Sequence, residues 1–266
     1  MFYRVNDSVP RYRSSLLENI PHGFSTRHGG VSECEHTKSM NLAFNRGDND
    51  ATVIRNFEIF AEAIGADPRR GVMLGQIHSC DVMTVTEKEF GLGVYKKSDI
   101  SLDGFVTNTP GALLCVRVAD CVPILFADYE AGVIGAVHSG WRGSVGKISV
   151  NCIDKMCELG ARRENIRAAI GPCICKDCYE VGADFVLECE KRLEKELCAE
   201  FIEKKDGRIY ADLKRLNFLV LKESGLNEGN IDVSTLCTCC DPDEFFSHRY
   251  HKDKRGTMCA MIALEA

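Results

Sequence analysis

The stretch Pro123–His138, PILFADYEAGVIGAVH, decides the fold. Two apolar runs, PILFAD and GVIGAVH, meet at the short turn segment DYEAG. Apolar runs of this length beside turn residues are typical of buried β-strands, and the short connection predicts an antiparallel hairpin. Because polar residues do not alternate with the apolar ones, we expect both faces of the sheet to be covered.

Strand and helix patterns alternate along the rest of the chain. Further strands are predicted at GFST (23–26), VMLGQIHS (72–79), DVMTVT (81–86), GALLCVRV (111–118), IRAAIG (166–171), IDVS (231–234) and TMCAMIAL (257–264). Helical periodicity predicts helices over 48–65, 143–160, 183–197 and 211–225. The combination indicates an α/β fold, a layered domain with mixed β-sheet covered by helices. Since no linker is visible, residues 1–266 are expected to form a single domain.

Composition restricts the classes of partner. The chain has 266 residues, 27% charged, with a formal net charge of −6. A mildly acidic protein lacks the basic surface that nucleic acids and anionic membranes require, so we expect neither as a partner. No apolar run approaches the roughly 20 residues that span a bilayer. The first 20 residues mix charged and polar side chains where a signal peptide would be apolar, which predicts a cytoplasmic protein. The oligomeric state cannot be predicted.

Fifteen cysteines are present, and in a chain of this kind they indicate reduced thiols rather than a disulfide framework. Several lie within apolar patterns and are interpreted as small hydrophobic residues; these are Cys115, Cys152, Cys157, Cys189 and Cys259.

Two short segments, CICKDC (173–178) and CTCC (237–240), concentrate six cysteines. These are Cys173, Cys175, Cys178, Cys237, Cys239 and Cys240. The pairs Cys175/Cys178 and Cys237/Cys240 have the spacing of zinc knuckles. A second metal site is therefore one interpretation, and packed free thiols are the simpler one, which we expect.

Three residues of metal-ligand type stand where a predicted strand meets a turn: His78, Cys121 and His138. The hairpin brings Cys121 and His138 to the same end, and His78 is expected on a neighbouring strand. Two imidazoles and a thiolate suit zinc, with a fourth position for water or substrate. Asp120 is a candidate for orienting a ligand or accepting a proton. The alternative is that each histidine is a structural residue.

Loops near these residues are rich in Arg, Asn and Gly, notably STRHGGVS, MNLAFNRGDND and HSGWRGSVG. Guanidinium groups and helix N-termini bind anions, so a substrate-binding role is predicted here, although Arg142 could equally be a surface residue. The candidates are Arg27, Asn41, Arg46, Arg142 and Arg249. The last segment, DPDEFFSHRYHKDKRG, is predicted to be a short helix followed by a basic loop, with Lys252, Lys254 and Arg255 as solvated surface charges.

A series of ordered blocks resembles the laccase-domain, or polyphenol-oxidase-type, purine nucleoside phosphorylase family. The blocks are HGFSTRHGGVS, NLAFNRGD, QIHSCDV, DGFVTNTPG, VADCVPIL, AVHSGWRG, IGPCICKDCYEVG, DLKRLN and CTCCDPDEFFSHR. They extend from about Pro21 to the C-terminus. The extra thiols Cys173, Cys175 and Cys239, and the segment FFSHRYHKDKRG, depart from the usual pattern of the family.

The resemblance implies a single α/β domain that holds zinc through two His and one Cys, which correspond to His78, Cys121 and His138. The implied substrates are purine nucleosides and phosphate. Adenosine, inosine and methylthioadenosine would be cleaved to a base and ribose 1-phosphate, and adenosine would also be deaminated. Arginines would hold the phosphate, with Arg46 and Arg142 as first candidates and Arg27 and Arg249 in reserve.

Three other functions stay open. A Cys-His hydrolase could use Cys121 as nucleophile and His138 as base, which would suit the editing of peptidoglycan precursors that the resemblance also implies. Copper-dependent polyphenol oxidation is compatible with the ligand set, but a multicopper enzyme needs a further His-rich cluster, and the 7 histidines include no His-x-His pair. A zinc-stabilised binding module without catalysis is the third.

Overall fold

A computed structural model describes residues 1–265. Within these residues the chain forms three β-sheets and seven α-helices. The strands are β1 (Phe2–Val5), β2 (Arg11–Ser14), β3 (His22–Ser25), β4 (Gly71–Val72), β5 (Val82–Thr84), β6 (Gly104–Thr107), β7 (Leu113–Val118), β8 (Val122–Asp128), β9 (Val133–Ser139), β10 (Arg167–Ile170), β11 (Glu180–Val181), β12 (Ile202–Lys205), β13 (Arg208–Ala211), β14 (Ile231–Val233) and β15 (Met258–Ala263). The helices are α1 (Asp50–Ala63), α2 (Trp141–Val145), α3 (Ile148–Glu158), α4 (Ala183–Arg192), α5 (Lys195–Phe201), α6 (Leu213–Glu223) and α7 (His248–His251).

Two six-stranded sheets form the centre of the fold. The first has the order β1-β2-β3-β15-β7-β4 and the second the order β14-β10-β8-β9-β6-β5. Both are mixed, because β4 pairs parallel with β7, and β10 with β14, while most neighbours are antiparallel. The third sheet is small and antiparallel, with the order β11-β13-β12. The predicted mixed α/β class is confirmed.

The strand β8 shows why its sequence is apolar on both faces. Leu125 packs with Leu114 of the first sheet in the core between the two sheets. Ile124 and Phe126, which point to the opposite face, pack with Ile153 of α3. A strand buried on both faces has no position for a polar side chain.

The outer face of the first sheet is covered by α1. Phe57 and Phe60 of this helix pack against Cys115 of β7 and Met261 of β15. Asn49 caps the helix by accepting a hydrogen bond from the Thr52 amide. The molecule is therefore layered as helix, sheet, sheet and helices, which agrees with the layered arrangement expected from the sequence.

The hairpin predicted from PILFADYEAGVIGAVH is confirmed. Strands β8 and β9 pair antiparallel, with Pro123 opposite His138 and Val122 opposite Ser139. Cys121 immediately precedes β8, so it lies at the end of the hairpin where β9 finishes.

Two predicted helices are interrupted. The helix expected over 143–160 is divided into α2 and α3 because Lys147 has a left-handed conformation with φ of 59°. The helix expected over 183–197 ends at Arg192, where extended backbone at Leu193 separates α4 from α5. The predicted strand VMLGQIHS is also shorter than expected, since β4 ends at Val72 and Gly75 forms only an isolated bridge with Ser101.

Some elements were not predicted. Strands β1, β2, β6 and the small sheet are short, partly polar or both, so they lack the apolar run that marks a buried strand. No helix within residues 1–265 has the length and apolar character needed to cross a bilayer.

Buried His22 in β3 makes the stability of the fold depend on pH. Its Nε2 accepts a hydrogen bond from the Ser14 amide at 3.0 Å, and its Nδ1 lies 2.8 Å from the Ile20 carbonyl oxygen. Burial lowers the pKa of His22 from 6.5 to about 4. The unfolded chain therefore binds this proton more readily than the folded chain.

The free energy of unfolding should consequently fall as pH falls from 6.5 towards 4, with His22 contributing a loss of about 3 kcal/mol. Denaturant unfolding across this pH range should show a shallower dependence for His22→Asn than for the wild type. The exposed His28 supplies the control, His28→Asn, which should keep the wild-type dependence. Identical pH dependence in all three proteins would contradict a neutral, buried His22.

Candidate active site and metal centre

Three side chains from separate segments converge at the open end of the β8–β9 hairpin. One donor atom each from His78, Cys121 and His138 lies within 4.8 Å of the other two. The two imidazole rings stand edge to face with their centroids 4.9 Å apart. His138 is buried, Cys121 is half-buried and His78 is exposed, so the cluster opens to solvent on one side.

The buried carboxylate of Asp103, just before β6, holds two of these segments together. Its Oδ1 accepts a hydrogen bond from His138 Nδ1 at 2.7 Å. Its Oδ2 accepts from the amides of Ser79 at 2.6 Å and Ile77 at 3.2 Å, on either side of His78. Because Nδ1 of His138 is engaged, Nε2 is the nitrogen left to bind a metal ion.

His78 lies in the loop between β4 and β5, and the expectation that it belongs to a strand is wrong. Its backbone is left-handed, with φ of 61°, a conformation that is uncommon for residues other than glycine. Gln76 fixes the loop by exchanging hydrogen bonds of 2.8 Å with the backbone of Arg117. A Cβ on Gly140 would come within 2.6 Å of His78 Nδ1, so only glycine leaves room for the ring there.

Asp120 supports Cys121 through the backbone. Its own backbone is left-handed, with φ of 90°. Its Oδ1 accepts a hydrogen bond from Thr238 Oγ1 and its Oδ2 accepts one from the Arg249 amide, both at 2.6 Å. The structure therefore places both carboxylate oxygens in contacts that hold neighbouring loops, and the carboxylate that orients a histidine is Asp103.

The charges of the cluster are coupled. Burial alone would lower the pKa of His138, but the neighbouring Cys121 sulfur and the Asp103 carboxylate raise it to about 9. Burial would raise the pKa of Asp103, yet hydrogen bonds from His138 and the Ser79 amide lower it. Burial and the charge of His138 lower the pKa of His78. Asp103, which is hydrogen-bonded to Nδ1 of His138, thus stabilises a positive charge at Nε2 on the opposite side of the ring.

A cavity of about 390 Å³ opens against Cys121 and His138. Three guanidinium groups from distant segments line it: Arg46, Arg117 and Arg255. Three like charges around one cavity favour an anionic occupant. Only Arg46 belongs to the predicted set.

Arg255 is 9% exposed, so the prediction of a solvated surface charge is wrong. Its Nη1 donates hydrogen bonds to the Gly256 carbonyl and to Thr257 Oγ1. Its Nε is buried and has no partner among residues 1–265. Burial, followed by the charge of Arg46, lowers the pKa of Arg255. A bound anion would provide a partner for the buried Nε and would offset the repulsion between the charges of Arg255 and Arg46.

Arg142 lies in a different cavity. This second cavity, of about 620 Å³, shares only His78 with the first. The Arg142 guanidinium stacks over the ring of Trp141, 4.1 Å from its centroid. The same cavity also contains Asp184 and Glu188, so its charge is mixed.

The other predicted substrate residues have structural contacts. Arg27 donates to the Pro242 carbonyl at 2.7 Å, and Arg249 donates to the carbonyls of Cys178 and Glu180 at 2.8 and 3.0 Å. Neither lines the cavity beside Cys121.

Asn41 is completely buried. Its Oδ1 accepts from the amides of Ala43 and Thr257, and its Nδ2 donates to Asp48 and to the Ala43 carbonyl. These contacts use the amide fully, and they hold the loop that carries Arg46 against the start of β15.

Only weak sequence signals mark the site residues that were not predicted. Asp103 precedes a buried strand, Arg117 is the one charged residue within the apolar run GALLCVRV, and Arg255 lies in the basic segment near the C-terminus. His248, from the same segment, also lines the cavity beside Cys121. Arg117 could have been predicted from the sequence, because a charged residue inside an apolar strand is buried and therefore requires a partner.

The donor set of the cluster fits a divalent metal ion of the zinc class. Two imidazoles and one thiolate within mutual reach form a three-ligand site with room for a fourth group, and Asp103 supplies the hydrogen bond that such ligands need. Among residues 1–265, one further group of potential ligands converges, and it consists of cysteines. The described residues therefore offer no separate imidazole cluster.

Comparison with known proteins identifies the family. A family described as multi-copper polyphenol oxidoreductase laccase matches residues 21–265. The chain belongs to this family. The resemblance drawn from the sequence blocks is therefore confirmed.

Several similar proteins align with most or all of this chain. A Deinococcus radiodurans protein named purine nucleoside phosphorylase is 37% identical over 96% of this chain and 93% of its own length. Adenosine deaminase RL5, from an unknown prokaryotic organism, is 35% identical over 85% of this chain and 87% of its own length. The crystal structure of YlmD from Geobacillus stearothermophilus has a TM-score of 0.91 at 31% identity and covers 100% of this chain and 99% of that chain.

Replacing Asp103 should weaken the cluster without removing a ligand. Asp103→Asn should lower Zn²⁺ affinity roughly 10- to 100-fold, because the negative charge behind His138 is lost. Competition against a chelator of known affinity measures the effect, and His78→Ala/His138→Ala sets the background from binding elsewhere.

The exposed Asp81, near the same loop, provides a matched control. Asp81→Asn should leave the affinity unchanged. Equal affinity in Asp103→Asn and wild type would show that Asp103 does not orient a metal ligand.

Proposed function

We propose that this protein is a zinc-dependent purine nucleoside phosphorylase that also deaminates adenosine. The observation that carries the proposal is the cavity in which three arginines face the cluster of His78, Cys121 and His138. Phosphate is the anion that phosphorolysis requires, and relatives similar over most of the chain are named for the two activities.

In this proposal His78, Cys121 and His138 hold the zinc ion, and Asp103 fixes the ring of His138. When bound, zinc would supply a Lewis acid that stabilises negative charge on a reacting oxygen. Gly140 leaves the space in which the His78 ring stands against the cluster. The ligand set itself does not distinguish zinc from copper. We favour zinc because the described residues provide no second imidazole cluster of the kind that oxygen reduction needs.

The arginines act on the second substrate. Arg46, Arg117 and Arg255 would bind the phosphate oxygens and direct one of them at C1′ of the ribose. The glycosidic bond then breaks with its electron pair leaving on the purine nitrogen, while the phosphate oxygen bonds to C1′. In the overall balance, the proton that hydrogen phosphate loses ends on the purine nitrogen. Phe44 lines the same cavity and offers an apolar ring against which a purine base can pack. Holding the nucleophile in line is itself a large part of such catalysis.

A second candidate function is favoured by one observation. Cys121, His138 and Asp103 stand in the order nucleophile, base and orienting carboxylate, and Asp103 is hydrogen-bonded to His138 at 2.7 Å. This arrangement suits a hydrolase that forms a thioester on Cys121. Trapping an acyl group on Cys121 would favour this function, whereas zinc bound to that sulfur would favour phosphorolysis.

We also propose that residues 1–266 act as one domain in the cytoplasm. Strand β15 near the C-terminus lies between β3 and β7 of the first sheet, which supports a single unit. None of the fifteen cysteines, all within residues 1–265, forms a disulfide, which suits a reducing compartment.

Product analysis tests the function directly. With inosine, free base and ribose 1-phosphate should form only when phosphate is present, whereas adenosine should yield inosine with or without phosphate. Cys121→Ala and His138→Ala should lower both activities by on the order of 100-fold or more, since metal-based charge stabilisation is worth several kcal/mol. Release of the base without phosphate, or variants as active as wild type, would refute the proposal.

The arginine assignment has its own test. Arg46→Ala should raise the KM for phosphate roughly 10- to 100-fold, because a charge-assisted hydrogen bond to the anion is lost. Adenosine deamination, which uses water in place of phosphate, should change little. Arg142→Ala is the comparison, and its effect on the phosphate KM should be much smaller. If Arg46→Ala impaired both reactions equally, Arg46 would not be a phosphate ligand.

A further inference from the structure

Four cysteine sulfurs converge where the chain leaves β10 and β14. The sulfur atoms of Cys175, Cys178, Cys237 and Cys240 all lie within 4.8 Å of one another. Cys240 Sγ is 3.8 Å from Cys175 Sγ and 3.4 Å from Cys178 Sγ. A tetrahedral ion with metal–sulfur bonds of about 2.3 Å separates its sulfurs by about 3.8 Å, whereas a disulfide requires about 2.05 Å.

The sheet explains why two distant segments meet. Strands β10 and β14 are parallel neighbours, so their following loops leave the same edge side by side. The pairing continues beyond the strands as a bridge between Cys173 and Cys237, and the Thr238 amide donates to the Cys173 carbonyl at 3.2 Å. Each loop then supplies two cysteines separated by two residues, which is the spacing of a zinc knuckle.

Packing as small hydrophobic residues does not by itself account for the positions of these thiols. The thiols that pack as hydrophobic residues are almost wholly buried, as Cys115, Cys152 and Cys173 are. By contrast, Cys175 and Cys178 are half-buried and Cys240 is exposed. A sulfur at the surface gains little free energy from burial, so the convergence of these three on the buried Cys237 needs another cause.

Hydrogen bonds at Cys237 support the same conclusion. Its sulfur accepts from the amides of Cys175 at 3.2 Å and of Cys240 at 3.4 Å. Amide donors stabilise a sulfur that carries negative charge, and a metal-bound thiolate carries such charge.

We propose that Cys175, Cys178, Cys237 and Cys240 bind one zinc ion in a closed, structural site. Four thiolates fill a tetrahedral coordination sphere and leave no position for substrate, which distinguishes this site from the cluster at His78, Cys121 and His138. The proposal does not depend on the function proposed above.

The ion would stabilise the support of the active site. Thr238, next to Cys237, donates to Asp120 Oδ1, and the Ile174 amide donates to the Asp120 carbonyl at 3.1 Å. Both contacts come from the two knuckle loops and hold the left-handed residue that precedes Cys121. Locking the loops together therefore fixes the position of a ligand in the other site.

Zinc analysis of the full-length protein tests the proposal. The variant His78→Ala/Cys121→Ala/His138→Ala removes the other cluster and should retain one zinc per chain. Adding Cys175→Ser/Cys240→Ser to this variant should abolish binding. In Co²⁺-loaded protein, the first variant should show the intense thiolate-to-cobalt charge-transfer band of a tetrathiolate site, and the second should lose it.

Matched controls keep the test independent of folding. Cys239→Ser, in the same loop but outside the four-cysteine cluster, should retain the zinc and the cobalt spectrum. If the double replacement does not fold, Cys240→Ser alone at an exposed position should reduce the charge-transfer intensity. A chelator should lower the thermal unfolding temperature of the variant that lacks the other cluster. Absence of zinc from that variant, iron in its place, or a disulfide between any two of the four cysteines would overturn the assignment.

Discussion

One buried carboxylate joins the segments that carry the two imidazole rings. Asp103 accepts hydrogen bonds from the ring of His138 and from the backbone on both sides of His78. A charge buried at this depth is stable only when hydrogen bonds satisfy it. The loop that donates to Asp103 is also the loop that brings His78 to Cys121. The buried carboxylate and the position of His78 therefore depend on each other. These hydrogen bonds hold the exposed loop in the conformation in which the backbone of His78 is left-handed.

The family is named for copper oxidation, whereas the described residues also form a cavity lined by arginines. Each cluster of potential ligands would hold one ion, and three arginines surround the cavity beside the first cluster. Three converging guanidinium groups are an arrangement that favours binding of an oxyanion such as phosphate. The anion-binding cavity is thus more informative about function than the ligand set, which zinc and copper share.

The sequence was sufficient for elements whose signal is local. The β8–β9 hairpin, α1 and α6 follow from apolar periodicity, turns and caps, and the hairpin brought Cys121 beside His138. Interactions between distant segments were not predictable. Nothing near position 103 shows that its carboxylate meets residue 79, and Arg255 resembles a solvated charge until Gly256 is seen bound to the carbonyl of His36.

The cysteines show the same division between local and distant information. Spacing identified each pair of the knuckle type, but their convergence depends on the parallel pairing of β10 with β14, and strand order could not be derived from the sequence. The role of Asn41 also depended on distant contacts. Its sequence position in a polar loop did not show that its side-chain amide is fully hydrogen-bonded within the protein, unlike the arginines that line the cavity.

The position of β15 in the first sheet has a consequence for how the protein is made. Residues 258–263 lie between β3, at residues 22–25, and β7, at residues 113–118. During translation, one edge of β3 and one edge of β7 stay unpaired until residues 258–263 have emerged from the ribosome. Such long-range pairing slows folding and leaves nascent strand edges open to aggregation.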